Sequence, residues 1–235
     1  MSKNIRLFLL ILLLVTVFFP GKILAASPEQ RAALLQKKYQ QLHSITFDFS
    51  QTTHNSDRIK HGAGNAVFLR LAVSDTKDGS PGIMRWNYTH PTEQTIINDG
   101  MSLSIYTSED KQLLVSSAQD MESDIIYAIF AGTKNLLDEF AVAPKDPLFL
   151  LNDPPEGCET LQLVPKKPHS QIKRVQVWMT GDRTIRRLLM EDHFGALTEL
   201  TFANVRFNTL HQKDPQQIEA LRALDLLPGT EIIRP

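Results

Sequence analysis

Residues able to carry chemistry are scattered along this chain rather than gathered. Its seven histidines, His43, His54, His61, His90, His169, His193 and His211, include no pair in the H-E-x-x-H spacing that sets two metal ligands on one helix face. Most of them fall in turns or polar stretches, where a solvated imidazole is the ordinary reading. The chain has no G-x-S-x-G elbow and no phosphate-cradling loop. Its single thiol, Cys158, follows the turn-forming Pro154-Pro155-Glu156-Gly157. A triad drawn from distant positions would leave no local signature, but no motif supports catalysis. On the residues alone an enzyme is possible but unsupported, and no catalytic residue, metal or cofactor is assigned.

An apolar surface is the alternative carrier of function. Phe47 and Phe49, Met84, Trp86 and Tyr88, Leu103 and Ile105, Val175 and Val177, and Leu200 and Phe202 recur with the period of two that puts side chains on one face of a strand. Arg85 and Asn87 alternate with the aromatic set and point the other way. Ordinary core packing would account for any one of these residues. On a strongly curved sheet the same residues would line an interior, filled or hollow.

The elements that would position them begin with a helix. Ser27 reads as its N-cap, Pro28 as its first residue and Gln30 as the reciprocal partner of a capping box. Leu34, Leu35, Tyr39 and Leu42 form the apolar stripe. Strands are predicted at 45–50, 64–71, 83–88, 93–98, 102–107, 111–116, 160–164, 172–179, 185–191, 197–205 and 231–234, with Asp99-Gly100, Gly181-Asp182 and Phe194-Gly195 as turns. Helical spacing recurs at 121–130, ended by Gly132, and at 215–224. The proline-rich stretch 143–157 is either a loop pinned to the surface or a crossing between two halves of one sheet. About ten strands exceed the usual 4 to 6 of a sheet and favour a curved sheet or barrel of mainly β, α+β type.

Lys3 and Arg6, the apolar run 7–19 and the small residues Leu24-Ala25-Ala26-Ser27 read as a cleaved export signal over residues 1–26. Residues 27–235 then form one domain, with no lipidatable cysteine at its start, free in an aqueous compartment outside the cytoplasm. Removing Lys3, Arg6 and Lys22 leaves 22 basic against 26 acidic residues, a balance that gives no reason to bind nucleic acid. One cysteine forms no internal disulfide. Lys173 with Arg174 and Arg186 with Arg187 could meet an acidic partner or simply be solvated.

The stretch Pro81-Gly82-Ile83-Met84-Arg85-Trp86-Asn87-Tyr88-Thr89-His90-Pro91 is similar to the P-G-x-x-R-W-x-Y-x-x-P signature of the LolA family of periplasmic lipoprotein carriers. Other pieces agree in order: Phe47-Asp48-Phe49-Ser50-Gln51 resembles the family's first strand, and Asp99-Gly100 with Leu103 and Tyr106 its hairpin. Leu163-Val164-Pro165, then Phe202, Asn204-Val205 and Asn208, and finally Pro228-Gly229-Thr230-Glu231-Ile232-Ile233 fit its C-terminal half. The resemblance implies an unclosed antiparallel barrel whose helices cover the concave face. It also implies a hydrophobic cavity for lipoprotein acyl chains, lined by Phe47, Phe49, Met84, Trp86, Tyr88, Leu103, Ile105, Leu200 and Phe202. Cargo would come from an inner-membrane ABC transporter of the LolCDE type and pass to an outer-membrane acceptor, LolB-like or other. A lipid-binding sensor of the same fold is the alternative, and a periplasmic hydrolase the next. Family members commonly carry a basic residue before the signature proline to tie the helical lid down. Here that position is Ser80, preceded by a polar stretch at 72–79, and Arg70 is a candidate for a role that stays unassigned.

Overall fold

The structure is a computed structural model and describes residues 26–71, 82–118, 126, 129–130, 135–168 and 171–234. The export segment, the stretch 72–79, Ser80, Pro81, Gly132, His169 and most of the helix expected at 121–130 lie outside the described residues. Within that helix, Ile126, Ile129 and Phe130 are helical.

Helix α1 spans Pro28–Gln41 and begins with the expected capping box. Gln30 N–H donates to Ser27 Oγ at 3.2 Å and Ser27 N–H donates to Gln30 Oε1 at 2.9 Å, which satisfies two of the otherwise orphaned first-turn donors. Leu35, Tyr39 and Leu42 of the expected stripe are buried, together with Ala32. Leu34 instead points outward and is 46% exposed. Further helices among the described residues are α2 at Leu136–Glu139 and α3 at Pro215–Arg222.

Twelve strands among the described residues form one sheet: β1 (Ser44–Asn55), β2 (Arg58–Leu69), β3 (Ile83–His90), β4 (Gln94–Asn98), β5 (Ser102–Thr107), β6 (Gln112–Ser117), β7 (Phe140–Ala143), β8 (Glu159–Pro165), β9 (Arg174–Met179), β10 (Ile185–Glu191), β11 (Leu197–Phe207) and β12 (Glu231–Ile233). Their order is β12-β6-β5-β4-β3-β2-β1-β11-β10-β9-β8-β7. Every pair is antiparallel except β12 on β6. Strands β1 to β6 thus make one meander and β7 to β11 a second, and the pairing of β1 with β11 fuses them into an unclosed barrel. At Phe47 the register slips against Asn204 and Val205, a bulge that bends β11. Asn204 takes a left-handed φ of +50° there, a conformation asparagine tolerates better than most residues. Asn208, also left-handed, closes the end of the strand by accepting from His43 N–H at 2.9 Å.

Both faces of the sheet are apolar over part of their area, and each has its own cover. Phe47, Phe49, Phe68, Met84, Trp86, Val175, Val177, Leu188, Leu200 and Phe202 form the inner core, under Leu35 and Tyr39 of α1 and under Ile129 and Phe130. The C-terminal helix lies on the opposite face, where Leu210, Ile218, Leu221 and Leu224 pack on Leu69, Ile83 and Ile97. Arg85 fastens it there, donating to the carbonyls of Ala223 at 2.6 Å and Leu221 at 3.3 Å. The proline-rich stretch is a loop on the same outer face, with Phe149 buried against Trp178 and Leu189.

The basic residues offered as a docking surface are largely engaged inside the molecule. Arg174 bonds Asp146 at 2.9 Å and also Glu191, and its guanidinium stacks 3.8 Å from the Phe149 ring centroid. Lys173 reaches Glu191 at 2.7 Å and Arg187 reaches Glu199 at 3.5 Å. These contacts tie the loop to the sheet and leave little of this charge for a partner.

Helix α1 is held to the inner face by its apolar stripe and by bonds near its C-terminus. The Tyr39 hydroxyl accepts from Ile185 N–H at 3.0 Å, and burial raises its pKa above the ordinary tyrosine value. Lys38 donates to Asp182 Oδ2 at 3.1 Å and Thr184 Oγ1 at 2.8 Å, with its ammonium 4.3 Å from the Phe207 ring centroid. Arg70 donates to the carbonyls of Gln40 and Tyr39, where the helix macrodipole favours a cation. Gln36 accepts from Leu136 N–H at 2.8 Å and so couples α1 to α2.

Two predictions follow from these contacts. A Cβ on Gly64 would sit 1.9 Å from the Asn87 carbonyl oxygen, whereas one on Gly181 meets nothing within 4 Å. Gly64→Ala should therefore cost about 2 kcal/mol or more and Gly181→Ala less than about 0.5 kcal/mol, as read by thermal and urea unfolding. Asp182 is held well below its ordinary carboxylate value by the Thr180 hydrogen bond first, then by those from Thr184 and Lys38. A depressed folded-state value stabilises fully above the unfolded value of about 3.9 and is lost as pH falls through the folded one. The Tm difference between the parent and Asp182→Asn should be flat from about pH 7 to 5 and shrink below about pH 4.

Candidate functional site

The inner face carries a chain of aromatic contacts. Phe47 lies between Trp86 and Phe202, with ring centroids 5.5 and 5.0 Å away, both edge-on. Phe49 continues the series to Trp86 at 4.7 Å and Tyr88 at 4.9 Å. From the covering side, Phe130 inserts into this group, 5.1 Å from Phe47, 5.6 Å from Phe202 and 5.7 Å from Tyr39. Edge-to-face pairs of this kind add roughly 0.5–1.5 kcal/mol each beyond area burial. The middle of the interior is therefore filled by its own rings, and Phe130 is the ring that the cover supplies.

Beyond Phe49 the face changes character. Gln51 and Thr53 follow at the same period on β1, and a cavity of about 710 Å³ opens beside them, lined also by Lys60, Gly62, Tyr88, Gln94 and Thr107. The Tyr88 hydroxyl donates to Gln51 Oε1 at 2.9 Å, although β2 runs between their strands. Glycine makes that reach possible: β2 presents Gly62 and Gly64 here, and a Cβ on Gly62 would already lie 3.3 Å from the Tyr88 ring. Gln51 then donates to Thr53 Oγ1 at 3.3 Å, and Thr53 pairs with Thr198 of β11 at 3.2 Å between hydroxyl oxygens. Gln94, the cross-strand partner of Tyr88, donates to Thr107 at 3.1 Å. On the far side of Thr198 lies a smaller cavity of about 240 Å³, bounded by Ile172 and Met190.

Nine of the residues singled out in the sequence meet on this face, Val175 and Val177 among them. Phe47, Phe49, Met84, Trp86, Leu200 and Phe202 belong to the inner core, and Tyr88 packs on its edge. Leu103 and Ile105 lie on the same face by register, opposite Asn98 and Ile96, but outside that core. Arg70 sits at the C-terminus of α1, as described above. Sequence reasoning missed Phe130, read only as part of a helix, and the polar residues of the cavity wall. The signal for Gln51 and Thr53 was their continuation of the Phe47 and Phe49 alternation. Among the described residues no group of three or more His, Cys, Asp or Glu side chains is placed to hold a metal. Cys158 sits on the outer face with the proline-rich loop, where burial raises its pKa. No described helix is long and apolar enough to cross a membrane.

Comparison with known proteins agrees with the signature residues. The family model described as "Outer membrane lipoprotein carrier protein LolA" matches residues 40–214. An outer-membrane lipoprotein carrier protein of Cupriavidus pinatubonensis is 30% identical over 62% of this chain and 65% of its own length. One from Nitrosomonas europaea is 22% identical over 93% of this chain and 97% of its own. A solved LolA superfamily structure from the latter organism covers 80% of this chain and 97% of that one at 13% identity, with a TM-score of 0.39, too low a likeness to bear on function. Because the family match takes in β1 to β11 and the whole inner face they build, this chain belongs to the LolA family of outer membrane lipoprotein carrier proteins.

Proposed function

We propose that this protein carries lipoproteins through the periplasm by holding their acyl chains against the inner face, without catalysis and as a free monomer after removal of residues 1–26. Cargo arrives from an inner-membrane ABC transporter of the LolCDE type and leaves to an outer-membrane acceptor, LolB-like or other. Residues 27–235 act as one domain, with Phe47, Phe49, Met84, Trp86, Tyr88, Leu200 and Phe202 as the lipid-facing wall and Leu103 and Ile105 at its side. The observation that carries this reading is Phe130: a ring from the cover occupies the place in the aromatic wall that an acyl chain would take.

Magnitudes support an exchange of cover for cargo. Burying one large apolar side chain is worth about 1.5–3 kcal/mol, so Leu35, Tyr39, Phe130 and Leu136 hold the cover shut by roughly 6–12 kcal/mol. An acyl chain returns about 0.8 kcal/mol per buried CH₂, so one chain of common length offsets the opening. A carrier needs this near balance, because cargo bound with the full energy of several chains would never be released. Arg70 at the C-terminus of α1 serves as the lid contact that sets the balance.

A fluorescent fatty-acid probe should bind the purified mature protein and be displaced by solubilised lipoprotein; no binding would sink the carrier reading. Phe130→Ala leaves a void that costs about 3–5 kcal/mol when empty. Probe should therefore bind this variant about tenfold tighter than the parent and raise its Tm by more. Depletion in cells should leave lipoproteins at the inner membrane.

A further inference from the structure

We infer that the polar row Tyr88-Gln51-Thr53-Thr198 is a recognition site for the ester carbonyls where acyl chains join a glyceryl group. The inference rests on the carrier reading and deepens it: the site would discriminate acyl-glyceryl cargo from bare hydrocarbon.

The row lies on the inner face, half-buried itself and next to rings that are nearly fully buried, where its polar groups need partners that apolar residues of similar volume would not. Three strands contribute amide and hydroxyl groups that bond in series, from Tyr88 on β3 through Gln51 and Thr53 on β1 to Thr198 on β11. Glycine on the intervening strand accommodates the arrangement, since a Cβ on Gly62 would press on the Tyr88 ring at 3.3 Å and one on Gly64 would collide with the Asn87 carbonyl that precedes Tyr88.

Its chemistry selects a class of ligand. A glutamine amide offers two N–H donors and two acceptor lone pairs, and Gln51 donates once, to Thr53, and accepts once, from Tyr88. The remaining N–H belongs to a residue that lines the larger cavity. No carboxylate lines that cavity, whereas Lys60, His61 and His90 do, so the wall suits an oxygen acceptor and disfavours a cation. The row itself offers only neutral amide and hydroxyl groups, which match the oxygen of a carbonyl.

Position completes the argument. The row stands where the wall changes from aromatic to polar, which is where the junction of an amphiphile comes to rest when its chains enter the aromatic region. It also runs between the two cavities, since Thr53 borders the larger and Thr198 the smaller. Chains that diverge from one glyceryl group would be parted at that point.

The test uses the mature chain with two probes of equal chain length, a pyrene-labelled diacylglycerol and a pyrene-labelled alkane. Wild type should bind the diacylglycerol about tenfold tighter. Tyr88→Phe keeps the ring and its packing on Phe49 and should lower diacylglycerol affinity by about three- to tenfold, the worth of one neutral hydrogen bond, and lower alkane affinity by clearly less. Gln51→Leu should do the same. Equal losses for both probes, or no loss for either, would overturn the assignment. If wild type binds both probes equally, carbonyl recognition falls while the carrier reading stands; if it binds neither, the carrier reading falls and takes this one with it. Tyr88→Phe is close enough in shape to fold even where Gln51→Leu does not, and thermal melts of both variants verify it.

Discussion

Strand β1 is paired on both edges, to β2 and to β11, and the second pairing is the constraint on which the interior depends. It joins two meanders that would otherwise be separate sheets, each with a bare apolar face. It also brings Phe47 against Phe202 across the seam. A slip of one residue would turn every inner side chain of one meander outward. The seam is guarded against that slip by its irregular points. The bulge at Asn204 is pinned by its 2.6 Å bond to Asp48, and Asn208 clamps the start of β1 by accepting from His43 and Ser44. Because the outermost strands, β7 and β12, do not pair with each other, the curved inner face cannot seal itself and must be closed by helix.

The two faces are covered by different means, and the difference bears on which cover can move. On the outer face the proline-rich loop is fastened by part-buried ion pairs from Arg174, and α3 by the Arg85 guanidinium. Removing Arg174 would leave Asp146 and Glu191 without their shared partner, at a cost that their partial exposure reduces. On the inner face α1 has polar ties along its length, from Arg31 to Glu159, from Gln36 to Leu136 and at Lys38, Tyr39 and Arg70, and Lys38 bonds an exposed hairpin turn. The solvent-facing ion pairs of Arg31 and Lys38 can be exchanged for water at small cost, whereas the buried Tyr39 bond cannot. The apolar stripe supplies the rest of the attachment, and that is the part a lipid can replace.

Much of this arrangement was legible in the sequence. The capping box of α1 was visible because its three residue types have one common use. The inward set on β1, β3 and β11 followed from alternation alone. The first hairpin was harder: Ser56-Asp57 turns the chain with a positive φ at Ser56 and no glycine, so β2 begins earlier than its apolar residues suggest. Strand β7 and helix α2 are four residues each, too short for either period to register. Leu34 misled because Ala32, a weaker hydrophobe, takes the buried position. The polar row was hidden for a deeper reason. A sequence rule that sends polar residues outward assigns Gln51 and Thr53 to solvent at the point where they continue the inner face.

The pieces of sequence that carry the family resemblance are also neighbours in space. Gln51 of the first-strand motif is bonded to Tyr88 of the signature, and Arg85 of the signature is bonded to the C-terminal helix. Gly82 lies so close to the preceding strand that a Cβ would come within 2.3 Å of the Leu69 carbonyl oxygen. Asn208 holds the end of β1. These residues fix the shape of the container and the attachment of its covers. Lys60, Gln94 and Thr107 face the cavity from positions outside those motif pieces. A change at any of the three would alter the cavity wall without disturbing the pairing of β1, the reach of Tyr88 or the seat of α1. The architecture therefore separates the residues that make a carrier from those that can tune its cargo, and differences in cargo between members of this family are to be sought in the second set.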